Sequence, residues 1–364
     1  MFRQIAFVLF CGLLTGQPAV PQEAKSNPPQ VPAAPPQAPV QGERPLIITE
    51  AREVIVPVTV VDEKGRYVSN LEAKDFRILD ENKPQRITFF SHDLRQPIVV
   101  GFLVDLSNNS RIHWNNYADA ITELIDTLLP GDDPRYSGYL IGYGNQAEML
   151  VNTTRDADKL VSAVRRMKAG GSAAFYDALY MACTDRTLIQ GEPYQPRRVV
   201  IVIGDGHNST GQKSVDQMIE LAKRNLITIF GLSTQAFGFD NPTEDDLERL
   251  ATETGGHVEY PLNALYKNVS GYLSHPTDAG NYVYEAGTGG YAAEISSGIT
   301  NAVSGIAGDV ATQYVIRYVP DFGDDPRPKV FRHIKVELPN LPGVKIRARD
   351  GYYPDLPPVV GPGR

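Results

Sequence analysis

Two aspartates stand where a run of apolar, mostly β-branched residues gives out. Residues 98–104 read IVVGFLV and lead into Asp105, Leu106, Ser107, Asn108, Asn109 and Ser110. Residues 199–203 read VVIVI and lead into Gly204, Asp205, Gly206, His207 and Asn208. The spacing D-x-S-x-N lets Asp105, Ser107 and Asn109 point the same way from one loop. Two carboxylates, a hydroxyl and an amide oxygen are hard oxygen donors, the kind that Mg²⁺ takes in octahedral geometry while keeping several waters. The chemistry on offer is therefore a partial cage for a hard divalent cation. The competing reading is that Asp105 and Asp205 cap helices and order their loops.

Other chemistries find less support. The six histidines (His92, His113, His207, His257, His275 and His333) show no H-E-x-x-H or paired spacing that would suggest a zinc enzyme. No G-x-S-x-G elbow is present. Ser107 could be set beside His113 or His207 on paper, but no motif makes those residues a triad. Gly287, Gly289 and Gly290 follow no buried strand, which argues against a phosphate loop. Cys183 shares an apolar helix face with Leu179 and Ala182 and reads as a core residue.

The elements that position the aspartates follow from hydrophobic period. Continuous apolar strands are expected when helices cover both faces of a sheet. Such strands at 98–104, 199–203 and 227–232 alternate with helical spacing at 117–129, 156–167, 175–188, 215–225 and 243–254. Two further strands, 139–143 and 147–151, flank Gly144, Asn145 and Gln146, and Gly255–Gly256 close the last helix before an edge strand at 257–260. This alternation predicts a doubly wound, mostly parallel sheet, in which ligands sit at the carboxyl ends of the central strands. Before and after it the period becomes two. Val54, Val56, Val58 and Val60 alternate with other residues, as do Ile334 and Val336, and Val344, Ile346 and Ala348. Each β piece is too small to stand alone, so the two are expected to pair as one small composite antiparallel domain.

The chain has 364 residues, 42% hydrophobic and 21% charged, with a net charge of −8. That composition suits a globular core and disfavours a nucleic-acid binder working through a basic face. Nine of the 28 prolines fall between Pro18 and Pro45. One arginine followed by about ten apolar residues matches a secretory signal peptide and is too short to span a bilayer. The expected plan is a signal peptide at 1–20, a proline-rich disordered linker at 21–45, a β unit at 46–95, an α/β domain at 97–312, and closing strands at 313–356. No transmembrane segment is expected beyond the signal peptide. With Cys11 in the leader, Cys183 is alone in the mature chain and no internal disulfide can form.

Five stretches together resemble the von Willebrand factor type A family, specifically exported bacterial proteins related to it. They are VVDEKGRYVSNLEAKDFRILDENKPQRITFF, FLVDLSNNS, GGSAAFYDALY, VVIVIGDGHNST and the tail QYVIRYVP…FRHIKVEL…VKIRARDGYYP, spanning roughly 55–353. The resemblance implies a doubly wound sheet carrying a metal-ion-dependent adhesion site built from D-x-S-x-S, a Thr and an Asp. It also implies binding rather than catalysis, with a protein partner's acidic side chain completing the metal shell. Asp105, Ser107 and Asp205 match that pattern. Asn109 replaces the second Ser and Ala173 the Thr, so Ser172 would need a shifted backbone to substitute. Any Mg²⁺ is expected to bind weakly, because one neutral ligand is missing.

The resulting expectation is an exported, non-enzymatic protein-binding module, periplasmic, surface-held or secreted. The alternative is a structural component of a cell-envelope assembly whose metal site has lapsed. Tyr266, Tyr272, Tyr282, Tyr284 and Tyr291 lie among Gly, Asn and Ser after the edge strand. They form either a recognition loop on the same rim or a loop folded over the protein's own surface. Trp114 and Tyr117 are candidates for that rim.

Overall fold

The computed structural model describes residues 53–92, 97–111, 114–131, 133–185, 196–235, 244–262, 289–322 and 330–354. The expected leader (1–20), the linker (21–45), His113, His275 and the tyrosines at 266, 272, 282 and 284 lie outside the described residues, as does the side chain of Tyr291.

Among the described residues the first strands are β1 (Val54–Val61), β2 (Arg77–Asp80), β3 (Lys83–Gln85) and β4 (Ile87–Ser91). β5 (Ile98–Asp105) leads to α1 (Trp114–Leu128), then to the hairpin β6 (Tyr136–Tyr143) and β7 (Ala147–Thr154). α2 (Ala157–Val164), α3 (Phe175–Thr184), β8 (Arg197–Ile203), α4 (Val215–Arg224) and β9 (Ile227–Leu232) come next. α5 (Glu244–Thr254), β10 (Val258–Glu259) and α6 (Gly289–Thr312) complete the α/β layer. The remaining strands are β11 (Tyr314–Tyr318), β12 (Arg332–Glu337), β13 (Lys345–Ala348) and β14 (Gly351–Tyr352).

The central sheet has the order β10-β9-β8-β5-β6-β7, parallel except for the β6–β7 hairpin. Every residue of β5 is buried, which is why IVVGFLV shows no polar alternation. Alternate side chains serve opposite faces. Ile98, Val100, Phe102 and Val104 pack with α1, α2 and α6. Val99 and Leu103 pack with α3, α4 and α5. This is the doubly wound arrangement expected from the strand and helix periods. Cys183 is buried in the second face, where desolvation pushes its thiol up to about 12.

Helix α6 is absent from the elements expected from the sequence, because glycine, serine and alanine dilute its apolar stripe. Ile295, Ile299, Ala302, Val303, Ile306 and Val310 nevertheless recur at helical spacing and are buried. The glycines are there for close approach. A Cβ on Gly298 would lie 2.5 Å from the Pro261 carbonyl oxygen, and one on Gly308 would lie 2.8 Å from the Tyr67 ring.

Two four-stranded antiparallel sheets, β13-β1-β11-β4 and β14-β12-β2-β3, each mix strands from before β5 and after α6. β1 lies between β11 and β13, with Val54 opposite Tyr318 and Val60 opposite Ile346. Val54, Val56, Val58 and Val60 form one core with Ile78, Tyr314, Ile316, Tyr318, Ile334 and Tyr352. In β1 the alternating valines mark the side that faces this core, while the other side is buried as well apart from the half-buried Ile55.

A charged cluster ties this β support to the α/β layer. The His257 ring sits with Nε2 2.9 Å from Glu259 Oε1 and Nδ1 2.8 Å from Asp309 Oδ2 on α6. Arg347 of β13 donates to the same Asp309 oxygen at 2.6 Å. Tyr67 lies alongside and donates its hydroxyl to the Gly305 carbonyl at 2.8 Å. Carboxylates beside both ring nitrogens favour the doubly protonated imidazole. Burial opposes that charge, but Asp309 and Glu259 outweigh it and hold the His257 pKa above its ordinary 6.5. A raised pKa gives stability that is complete below about 6.5 and fades as pH rises through the folded value. Urea unfolding from pH 6 to 9 should therefore show the wild type losing stability over that interval. His257→Gln should start lower and lose less.

Candidate metal centre

In doubly wound sheets the crevice for ligands lies where neighbouring central strands send their connections to opposite faces. Here that point is the pair β5 and β8: β5 ends at Asp105, and Asp205 follows the end of β8 by two residues. Asp105 is 1% exposed, Ser107 3% and Asp205 7%. The Asp105 Oδ1 atom accepts from the Ser107 backbone N–H at 2.7 Å, and Oδ2 accepts from the Ser107 hydroxyl at 3.1 Å. This closes the turn after β5 in the way a short polar side chain can. Asp205 orders its own loop similarly, with Oδ1 accepting from the His207 backbone N–H at 2.9 Å.

Three loops converge. Asn108 N–H donates to the Gly171 carbonyl at 3.0 Å and Gly170 N–H to the Leu106 carbonyl at 2.6 Å, stitching the first loop to the second. Ser209 donates its N–H to the Ala173 carbonyl at 2.9 Å, and Ala173 donates its N–H to the Ser209 hydroxyl at 2.9 Å. The third loop is thereby fixed to the second. Asn109 joins the first to the third, its Nδ2 donating to Asp205 Oδ2 at 2.9 Å. The D-x-S-x-N spacing predicts an Asn109 amide oxygen turned to a cation; instead the NH₂ end faces the carboxylate.

The structure thus brings Asp105, Ser107, Asn109 and Asp205 together. Ser172 is exposed, its backbone N–H donating to Asn145 Oδ1 at 2.9 Å. Ala173 is buried and brings no side-chain oxygen. Tyr117 is corrected as a rim residue. Only 1% exposed, it points inward and donates its hydroxyl to the Ser233 carbonyl at 2.9 Å. Trp114 is half-buried against the core. Sequence reasoning overlooks Tyr143, which pairs with Asp105 in the parallel register at the end of β6. The available signal is a tyrosine closing an apolar strand one place before Gly144.

Among the described residues neither carboxylate has a lysine or arginine partner. Burial and then the neighbouring Asp205 charge push Asp105 up to about 6, against the pull of the Ser107 N–H. A buried carboxylate pair without a counter-charge, with a hydroxyl between the strands, suits a hard divalent cation in donor chemistry. No group of three His, Cys, Asp or Glu side chains converges among the described residues, so hydroxyls and waters would have to fill much of the shell. The Ser107 hydroxyl donates to the Asp105 carboxylate.

A family model for the von Willebrand factor type A domain matches residues 100–264. No curated protein matches the chain. Among similar solved structures, the VWA domain of SpRpn10 is 20% identical, covering 44% of this chain and 86% of that one at a TM-score of 0.36. BatB from Bacteroides thetaiotaomicron is 17% identical, covering 48% and 98% at a TM-score of 0.35. Proximal thread matrix protein 1 from the mussel byssus, in a form with a zinc-occupied MIDAS motif, is 16% identical, covering 47% and 42% at a TM-score of 0.37. The match to the family model, with the sheet that these residues build, makes residues 100–264 of this chain a von Willebrand factor type A domain.

Proposed function

We propose that the chain is an exported, non-enzymatic binding module that contacts a protein partner through the three-loop rim around Asp105, Ser107, Asn109 and Asp205. Domains of this family generally mediate contacts between proteins. One observation carries the reading: two buried carboxylates meet at the crevice of the sheet with no cationic side chain among the described residues to offset them. A Mg²⁺ ion held by Asp105, Asp205 and Ser107 would supply that charge and leave a position for an acidic side chain of the partner. Residues 46–95 and 313–356 act as the support around the 97–312 domain, and the leader at 1–20 with the linker at 21–45 carries it out of the cell.

The hydrogen bond from Asn109 to Asp205 favours a second reading, a structural envelope component in which the amide has taken the ion's place. Thermal unfolding separates the two. Millimolar Mg²⁺ or Mn²⁺ should raise the midpoint by about 2–4 °C if the ion binds the native state in tenfold excess over its dissociation constant. Asp105→Ala should show no rise. A wild-type midpoint that ignores both metals would sink the metal reading and leave the structural one.

A further inference from the structure

Tyr143 brings to this crevice a polar atom that the described residues leave unused. Its ring is fully buried (0% exposed), with its centroid 5.5 Å from that of Phe175. Its hydroxyl makes no hydrogen bond among the described residues. Burying a hydroxyl without a partner is unfavourable, and phenylalanine would fill the same space without that penalty. The position of the oxygen is informative. A Cβ on Gly204 would stand 2.2 Å from Tyr143 Oη and 2.9 Å from the Asp105 Cβ. The phenol therefore crosses β5 and ends under the two aspartates, in space that Gly204 leaves open. Both carboxylate charges act on it there.

On the same side of the crevice, position 173 supplies no side-chain oxygen. Ala173 belongs to the cluster that holds Tyr143 and Phe175, is buried, and contributes only a methyl group. Ser172, next to it, is exposed. Asp105, Asp205 and Ser107 leave a hard cation wanting neutral donors. We propose that the Tyr143 hydroxyl serves the cation site in place of the oxygen that Ala173 lacks, accepting a hydrogen bond from a water on the ion. This deepens the metal reading and rests on it. Tyr143 is a positioning residue in this role: it acts on the ion through water.

The test uses the full chain and Mg²⁺ alone, with thermal midpoint followed against metal concentration. Tyr143→Phe should raise the apparent dissociation constant about tenfold, the worth of one buried hydrogen bond. Its metal-free midpoint should equal or exceed that of the wild type, because an unpaired hydroxyl has been removed. In an Ala173→Thr background the same change should cost at most about twofold, since the supplied hydroxyl makes the phenol redundant. Should that background fail to fold, the first comparison stands without it. Unchanged Mg²⁺ affinity in Tyr143→Phe, with the wild type binding, would overturn this inference and leave the metal site intact. A metal-free midpoint lowered by several degrees would also overturn it, by showing that the hydroxyl already has a partner. A wild type indifferent to Mg²⁺ removes the metal reading, and this inference with it.

Discussion

Replacing Asp80 by alanine should cost the protein about 3–5 kcal/mol of stability, the usual penalty for breaking a buried ion pair from one side. Asp80 is 0% exposed at the end of β2. Its Oδ1 accepts from Arg332 Nε at 2.8 Å, and its Oδ2 accepts from the hydroxyls of Tyr318 at 2.9 Å and Tyr352 at 2.8 Å. One carboxylate thus satisfies three donors that come from β11, β12 and β14, all far away in sequence. Alanine would leave a guanidinium whose side chain is 13% exposed, together with two buried phenols, without an acceptor. Asparagine keeps one acceptor oxygen and should cost less. Equilibrium urea unfolding, followed by both tyrosine fluorescence and far-UV circular dichroism, checks the size of the loss. A loss under about 1 kcal/mol would mean the network relaxes onto water.

The second large effect is expected at Gly256. The pair Gly255–Gly256 ends α5, with Gly255 at φ +91° and the Gly256 N–H donating to the Ala251 carbonyl at 2.9 Å. The backbone is hemmed in on both sides of this turn. A Cβ on Gly256 would stand 1.9 Å from the Ile229 carbonyl oxygen, and one on Gly255 would stand 2.6 Å from the Arg349 backbone nitrogen. Neither neighbour is a side chain that can swing away. Gly256→Ala must push the end of α5 off β9, and overpacking of this kind costs about 1–3 kcal/mol or more. The expected result is destabilisation of at least about 3 kcal/mol, or loss of soluble protein. Gly131→Ala, where a Cβ meets nothing within 4 Å, is the matched control and should change little.

Much of the fold can be read from local pattern. Buried parallel strands advertise themselves as IVVGFLV and VVIVI, and β1, although nearly all of its residues are buried, as valines alternating on the side that faces the β core. The places of Asp105 and Asp205 follow from the same strands. Features set by distant neighbours stay hidden. The glycines of α6 look like helix breakers until Pro261, Glu259 and Tyr67 are seen packed against them. Tyr117 and Tyr143 both look like surface-capable aromatics, but one bonds to Ser233 across the sheet and the other ends beneath Asp105. Asn109 could turn either end of its amide inward, and only the position of Asp205 in the loop after β8 decides which.

The pairing of β1 with β11 and β13 also bears on how the chain is made. Val54 must find Tyr318, and Val60 must find Ile346, with the whole von Willebrand factor type A domain emerging in between. At synthesis rates of about 5–20 residues per second, β1 waits roughly ten to fifty seconds with both edges unpaired. The α/β domain has its own core and a shorter wait for its strands, so it can close first. The β support then assembles last, around a finished domain. A polypeptide stalled before residue 314 would present a valine-rich strand with no partner, a segment suited to capture by chaperones and prone to pair with another chain.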